Sequence, residues 1–74
     1  MLRLKAERLR RGWPQRELAA RAGIDQNIIS RIEGGWIRPY PKWRLQIARA
    51  LEWPEERADE LFEEVSENAA DKLG

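Results

Sequence analysis

Residues 15–35, QRELAARAGIDQNIISRIEGG, decide how this chain is read. Leu18, Ala19 and Ala22 share one side of a first helical period, and Ile28, Ile29 and Ile32 share one side of a second. Gly23 separates the two, because glycine readily takes the left-handed conformation that ends a helix. Asp25 is a good N-cap for the second of these helices, with Ile24 before it as half of a hydrophobic staple. Gly34 and Gly35 then stop the chain. The stretch predicts two short helices, over 15–22 and 26–33, joined by a tight turn.

Outward from this centre the period stays helical, and no segment alternates as a strand would. A first helix is expected from about Leu2 to Arg11, burying Leu2, Ala6 and Leu9, with Leu4 at the edge and Gly12 past its end. Pro41 suits the first turn of a fourth helix reaching Ala50 or Leu51, whose buried side should be Leu45, Ile47, Ala48 and Leu51. Pro54 opens a fifth, acidic helix over about 54–70, with Ala58, Leu61, Phe62, Val65 and Ala69 along one stripe. The expected architecture is all-α: five helices around one core in a single domain spanning residues 1–74.

Composition narrows the chemistry. A chain of 74 residues buries only about 60% of the surface its unfolded form exposes. It has no cysteine and no histidine. The first absence excludes disulfides and thiolate metal sites, and the second removes the commonest general acid–base. No phosphate-cradling glycine loop is present, so neither an enzyme nor a cofactor is expected, nor a small-molecule substrate. No apolar run approaches a membrane span, and the first residues, MLRLKAERLRR, lack the apolar core of a signal peptide. No membrane association is expected, and a cytoplasmic location is.

The net charge is +1, but it is unevenly spread. Residues 1–49 hold twelve basic and four acidic side chains, a net of +8. Residues 50–74 hold two basic and nine acidic ones, a net of −7. A basic body with an acidic end suits an oriented approach to a polyanion.

Two features of residues 26–33 sharpen that expectation. At about 100° per residue, Gln26, Ser30, Asn27 and Arg31 fall within about 140° of one another, and the three isoleucines occupy the opposite side, Ile28 nearest the boundary. An ordinary solvated face would favour Glu and Lys, which are better helix formers than Asn or Ser. Gln and Asn instead present a donor and an acceptor together, matching the major-groove edge of adenine, and the arginine fork matches guanine.

Two short helices around a glycine turn form the helix-turn-helix pattern. The run GWPQRELAARAGIDQNIISRIEGGWIRPYP, with IARAL further on, resembles the phage-repressor (Cro-type, XRE-like) helix-turn-helix family. The residues that carry the likeness are Gln15, Leu18, Ala19, Ala22, Gly23, Ile24, Ile29, Ser30, Ile32, Glu33, Gly35 and Pro39. The resemblance covers roughly residues 3 to 62 and implies a lambda-repressor-like fold that binds double-stranded DNA. It places helix 26–33 in the major groove, with Gln26, Asn27, Ser30 and Arg31 as base readers. It puts Gln15 on a backbone phosphate, a role that the unpaired amides of that helix start also favour. Arg16, Trp36, Arg38, Lys42, Trp43 and Arg44 extend this phosphate-binding set. Arg8 and Glu33 stand where the family has a structural ion pair between its first helix and the recognition helix.

The chain departs from the family in three places. Pro14 replaces a Ser or Thr cap, Trp36 replaces a polar or basic residue, and Glu52 replaces a glycine after the fourth helix. A non-glycine residue in a left-handed turn costs about 1 kcal/mol, so that turn is expected either to be strained or to be remodelled. Of the four tryptophans, Trp13 and Trp53 follow helix ends and should close the core. Trp36 and Trp43 either offer indole N–H groups to phosphates or pack on each other and on Tyr40, and the two roles are compatible. The missing His and Cys, the prolines at helix starts and the Glu-rich end would equally suit a redesigned member.

Sequence-specific DNA binding of a repressor-like kind is therefore the expected function. The competing expectation is a protein-interaction module, antitoxin-like or coactivator-like, docking through the acidic last helix. Family members commonly pair on palindromic sites. The acidity of the fifth helix opposes symmetric pairing here, so a monomer is expected in solution, with pairing on DNA left open.

Overall fold

The computed structural model describes residues 1–66. In chain order they form α1 (Arg3–Arg10), α2 (Gln15–Ala22), α3 (Gln26–Glu33), α4 (Pro41–Ala50) and a 3-10 helix (Glu55–Phe62). The fold is all-α. Among the described residues the single β-type pairing is an isolated antiparallel bridge between Leu2 and Glu64.

All four α-helices close in the same way. The residue two past each helix-ending turn donates its amide back across it: Trp13 to Arg8 O (3.1 Å), Ile24 to Ala19 O (3.0 Å), Trp36 to Arg31 O (2.8 Å) and Trp53 to Ala48 O (2.8 Å). This closure needs a left-handed residue just before the donor. Gly23 (φ 68°) and Gly35 (φ 77°) supply it on either side of α3 without steric cost, and Gly12 supplies it after α1. Glu52 takes the same conformation at φ 56°, so the turn after α4 is kept and a side chain is held in it. The closure also favours an apolar donor residue that folds back on its helix. Ile24 is buried, and Trp13 and Trp53 pack half-buried against the core. Trp36 is the exception, 82% exposed.

The core is built from Leu4, Leu18, Ile29, Ile32, Ile47, Leu51 and Leu61, all essentially inaccessible, with small alanines between them. α2 packs on both α3 and α4, and the 3-10 helix packs on α4 and α1. Gln46 on α4 donates to Ala22 O at the end of α2 (2.9 Å), satisfying a carbonyl that the turn would otherwise leave open.

Three expectations are corrected by the structure. On α1 the buried residues are Leu4, Ala6, Glu7 and Arg8, while Leu9 is 44% exposed. Ala6 is buried as expected, but beside it the inward positions are Leu4, Glu7 and Arg8, and a hydrophobic count misses the last two because they are charged and paired. Burial alone would raise the pKa of Glu7, but hydrogen bonds from Arg11 and Arg10 outweigh it and the carboxyl is held below its usual value. Arg11 donates to Glu7 Oε1 (2.8 Å) and also to Leu51 O (2.8 Å), which joins α1 to the end of α4.

On α4, Ile47, Ala48 and Leu51 are buried as expected, but Leu45 is exposed. The inward position one turn before Ile47 and Ala48 is instead Arg44, whose guanidinium pairs with Asp59 (2.7 Å) and lies over the Phe62 ring.

The fifth helix is short and is not an α-helix. Arg57 leaves helical geometry (φ −115°, ψ 15°), the segment ends at Phe62, and Glu63 is extended. Like charges one α-turn apart, Glu56 with Glu60 and Glu60 with Glu64, disfavour an α-helix. The extended chain instead satisfies its backbone against the N-terminal residues, with Arg3 N–H to Glu63 O (2.9 Å) and Val65 N–H to Met1 O (2.8 Å). Ala58 and Leu61 are buried and Phe62 and Val65 half-buried; Ala69, and the expected helix beyond residue 66, lie outside the described residues.

Candidate nucleic-acid interface

α3 begins at Asp25, whose Oδ1 accepts the Asn27 N–H at 2.7 Å. Ile29 and Ile32 anchor it in the core and Ile28 is half-buried, as the angular reading of the helix requires. Gln26, Asn27, Ser30 and Arg31 are all exposed. None of these four side chains has a hydrogen-bond or ion-pair partner among the described residues. The helix thus presents a contiguous set of solvent-facing donors and acceptors on an anchored base.

The anchoring comes partly from a polar knot behind the helix. Arg8 grips Glu33 with two parallel bonds, Nε to Oε2 at 2.8 Å and Nη2 to Oε1 at 2.9 Å. Its third nitrogen donates to Trp13 O at 2.7 Å. Gln15 Nε2 adds a bond to Glu33 Oε1 at 3.1 Å. The side chains of Arg8 and Glu33 are only 7% and 3% exposed, so one carboxylate ties α1, α2 and α3 together. The Arg8–Glu33 pair was legible through the family resemblance. The Gln15 contact was not, since nothing in residue spacing links positions 15 and 33. One amide hydrogen of Gln15 is committed to Glu33, and the other remains for an outside acceptor.

The structure also sorts the cations. Arg8, Arg10, Arg11, Arg21, Arg44, Arg49 and Arg57 each have a carboxylate partner. Arg16, Arg31, Arg38 and Lys42 are exposed and have none among the described residues. These four occupy the start of α2, the outer face of α3, the following loop and the first turn of α4. Lys5 on α1 is likewise unpaired. Arg44 belongs to the other group, its guanidinium paired with an exposed Asp59. Trp43 is half-buried on the core with Tyr40 tilted against it, ring centroids 4.7 Å apart. Trp36 stands in solvent away from that pair.

Two helices at a glycine turn, the second anchored by isoleucines and bare on its outer side, are the geometry of a helix-turn-helix. A family model for the helix-turn-helix domain matches residues 2–61. The chain belongs to this family. The matched region takes in all four α-helices and most of the 3-10 helix, and it is consistent with an XRE-like DNA-binding domain. Curated proteins and solved structures gave no match. Among the described residues of this helix-turn-helix domain, no group of three or more acids is placed to hold a metal ion. No helix there is long and apolar enough to cross a membrane.

Proposed function

We propose that this helix-turn-helix domain binds double-stranded DNA sequence-specifically, with α3 in the major groove, and acts in a repressor-like manner by occupying its site. The observation that carries this reading is the outer face of α3: Gln26, Asn27, Ser30 and Arg31, exposed and without partners in the fold. Solvated side chains of this kind lose little when they meet base edges. The Arg31 fork suits guanine O6 and N7, and the Gln26 and Asn27 amides suit adenine N6 and N7, each bidentate pair contributing about 1–3 kcal/mol of discrimination. Arg16, Arg38 and Lys42, with the amides at the start of α2 and the free hydrogen of Gln15, bracket that face and would hold phosphates. Three neutralised phosphates predict that log K falls with log salt at a slope of about −3. Arg44 is a weaker member of the phosphate set because Asp59 already faces it.

The test is selection from a random duplex pool at about 150 mM salt, with Arg31→Ala in parallel. The expected result is an enriched motif in which the variant loses its preference at one guanine. If no motif is enriched, and binding by both proteins disappears alike as salt is raised, base reading by α3 is wrong.

A further inference from the structure

In the segment after α3, WIRPY (36–40), residues 36 and 37 form a bend, residues 38–40 have no regular structure, and exposure alternates along the five. Ile37 packs half-buried against the core and Pro39 is buried. Between and beside them Trp36 (82% exposed), Arg38 and Tyr40 (66% exposed) face solvent, and Lys42 comes next, exposed, in the first turn of α4. The outward order is aromatic, cation, aromatic, cation. Neither cation has a partner among the described residues.

Tyr40 is braced by a neighbouring ring, and Trp36 lies beside a glycine that leaves room for its indole. Tyr40 rests on Trp43, which is itself seated on the core. Trp36 lies over the backbone of Gly34, where an added Cβ would stand 2.8 Å from the indole Cδ1. Gly34 has ordinary right-handed geometry (φ −80°, ψ −4°), so the backbone does not require glycine there; a side chain at this position would push the Trp36 ring out of its place.

We propose that this strip is a binding site for unpaired nucleobases of a single-stranded nucleic acid, distinct from the duplex reading by α3 in its stacking faces while drawing on the same cations, Arg38 and Lys42, for phosphates. Trp36 and Tyr40 supply two stacking faces, and Arg38 and Lys42 between and beyond them take the backbone phosphates. Stacking on aromatic side chains is tolerant of sequence because every base has a π-face, and interleaved cations track the strand. Pre-set rings lower the ordering cost of binding. A duplex has its bases already stacked and offers nothing to the ring faces.

The test measures anisotropy of labelled twelve-nucleotide oligothymidine, the matching ribo-oligomer and an abasic oligomer of equal length at about 150 mM salt. Wild type, Trp36→Ala, Tyr40→Ala, Gly34→Ala and Arg31→Ala are compared, with a thermal melt confirming that each is folded. Trp36→Ala is expected to weaken binding to the normal oligomer at least fivefold, and Tyr40→Ala to weaken it in the same direction. Gly34→Ala, which keeps the tryptophan but displaces its ring, should weaken it as well. The abasic strand should bind wild type no better than the normal strand binds Trp36→Ala. The tighter of the two normal strands identifies the sugar. Arg31→Ala should weaken normal and abasic strands by the same factor, through its charge alone, while removing a base preference in the duplex, which separates failure of this proposal from failure of the duplex reading. Equal binding of normal and abasic strands, or wild-type affinity in Trp36→Ala, would overturn the stacking site and leave only attraction between charges.

Discussion

Glu52→Gly should make this domain more stable, although it removes a charged side chain and adds no contact. Glu52 sits at φ 56° in the turn that closes α4, where its own amide is bonded back to Arg49 O (3.1 Å) and that of Trp53 to Ala48 O (2.8 Å). Its carboxylate makes no hydrogen bond or ion pair among the described residues. A side-chain-bearing residue in the left-handed region costs about 1–2 kcal/mol. Glycine avoids that cost but loses about 0.5–1 kcal/mol more backbone entropy on folding. The difference is a gain of about 0.5–1 kcal/mol. Unfolding entropy is about 2.1 cal/mol/K per residue, or roughly 0.16 kcal/mol/K for 74 residues, so the melting temperature should rise by about 3–6 °C. Circular dichroism melts of wild type, Glu52→Gly and Glu52→Ala would measure it. Alanine removes the same carboxylate but keeps the strained backbone, so it should stay close to wild type. A glycine variant no more stable than wild type, or an alanine variant that gains as much, would refute the reasoning.

Removing one partner of the Arg8–Glu33 pair leaves a charge in the interior. Glu33→Ala should therefore destabilise by about 3–5 kcal/mol in urea unfolding, and the joint Arg8→Met, Glu33→Leu variant should recover most of that loss. Glu7 has its folded pKa lowered from 4.5, so its contribution is complete above that pH and is lost as pH falls through the folded value. Glu7→Gln should accordingly be less stable than wild type at neutral pH, with the gap in melting temperature closing as pH is lowered from 4.5; a gap that persists under strongly acidic conditions would contradict this. Asp25→Ala removes the cap of α3 and should cost about 1 kcal/mol, with amide exchange accelerating first at Gln26, Asn27 and Ile28. Uniform acceleration through the chain would mean that α3 does not open on its own.

The features legible in the sequence are concentrated where local chemistry is self-sufficient. The bounds of α2 and α3 follow from Gly23, Asp25 and the glycine pair because turn and cap residues act on their immediate neighbours. The face of α3 follows from three isoleucines with no competing signal. The pattern of α1 misleads because its interior carries Glu7 and Arg8, and whether a charge goes inside depends on partners elsewhere: Glu33 lies 25 residues from Arg8. The fifth helix is shorter than its pattern suggests for a related reason. Its apolar stripe is genuine as far as Leu61, but like-charge crowding and the backbone of residues 1–3 offer the chain a better arrangement after Phe62.

The candidate interface divides along the same line. The residue types able to read bases, and the excess of positive charge in the first 49 residues, belong to the sequence by itself, since they rest on side-chain chemistry and a helical period. Which cations remain available was decided only by the tertiary structure. Arg44, Arg38 and Lys42 look alike in the chain, yet Asp59 folds back against the first and leaves the other two open. The same is true of the tryptophans: three occupy equivalent positions after a helix end, and only long-range packing half-buries Trp13 and Trp53 and leaves Trp36 in water. Local propensity acts over a turn or two, whereas charge pairing and burial depend on what the rest of the chain brings within a few ångströms.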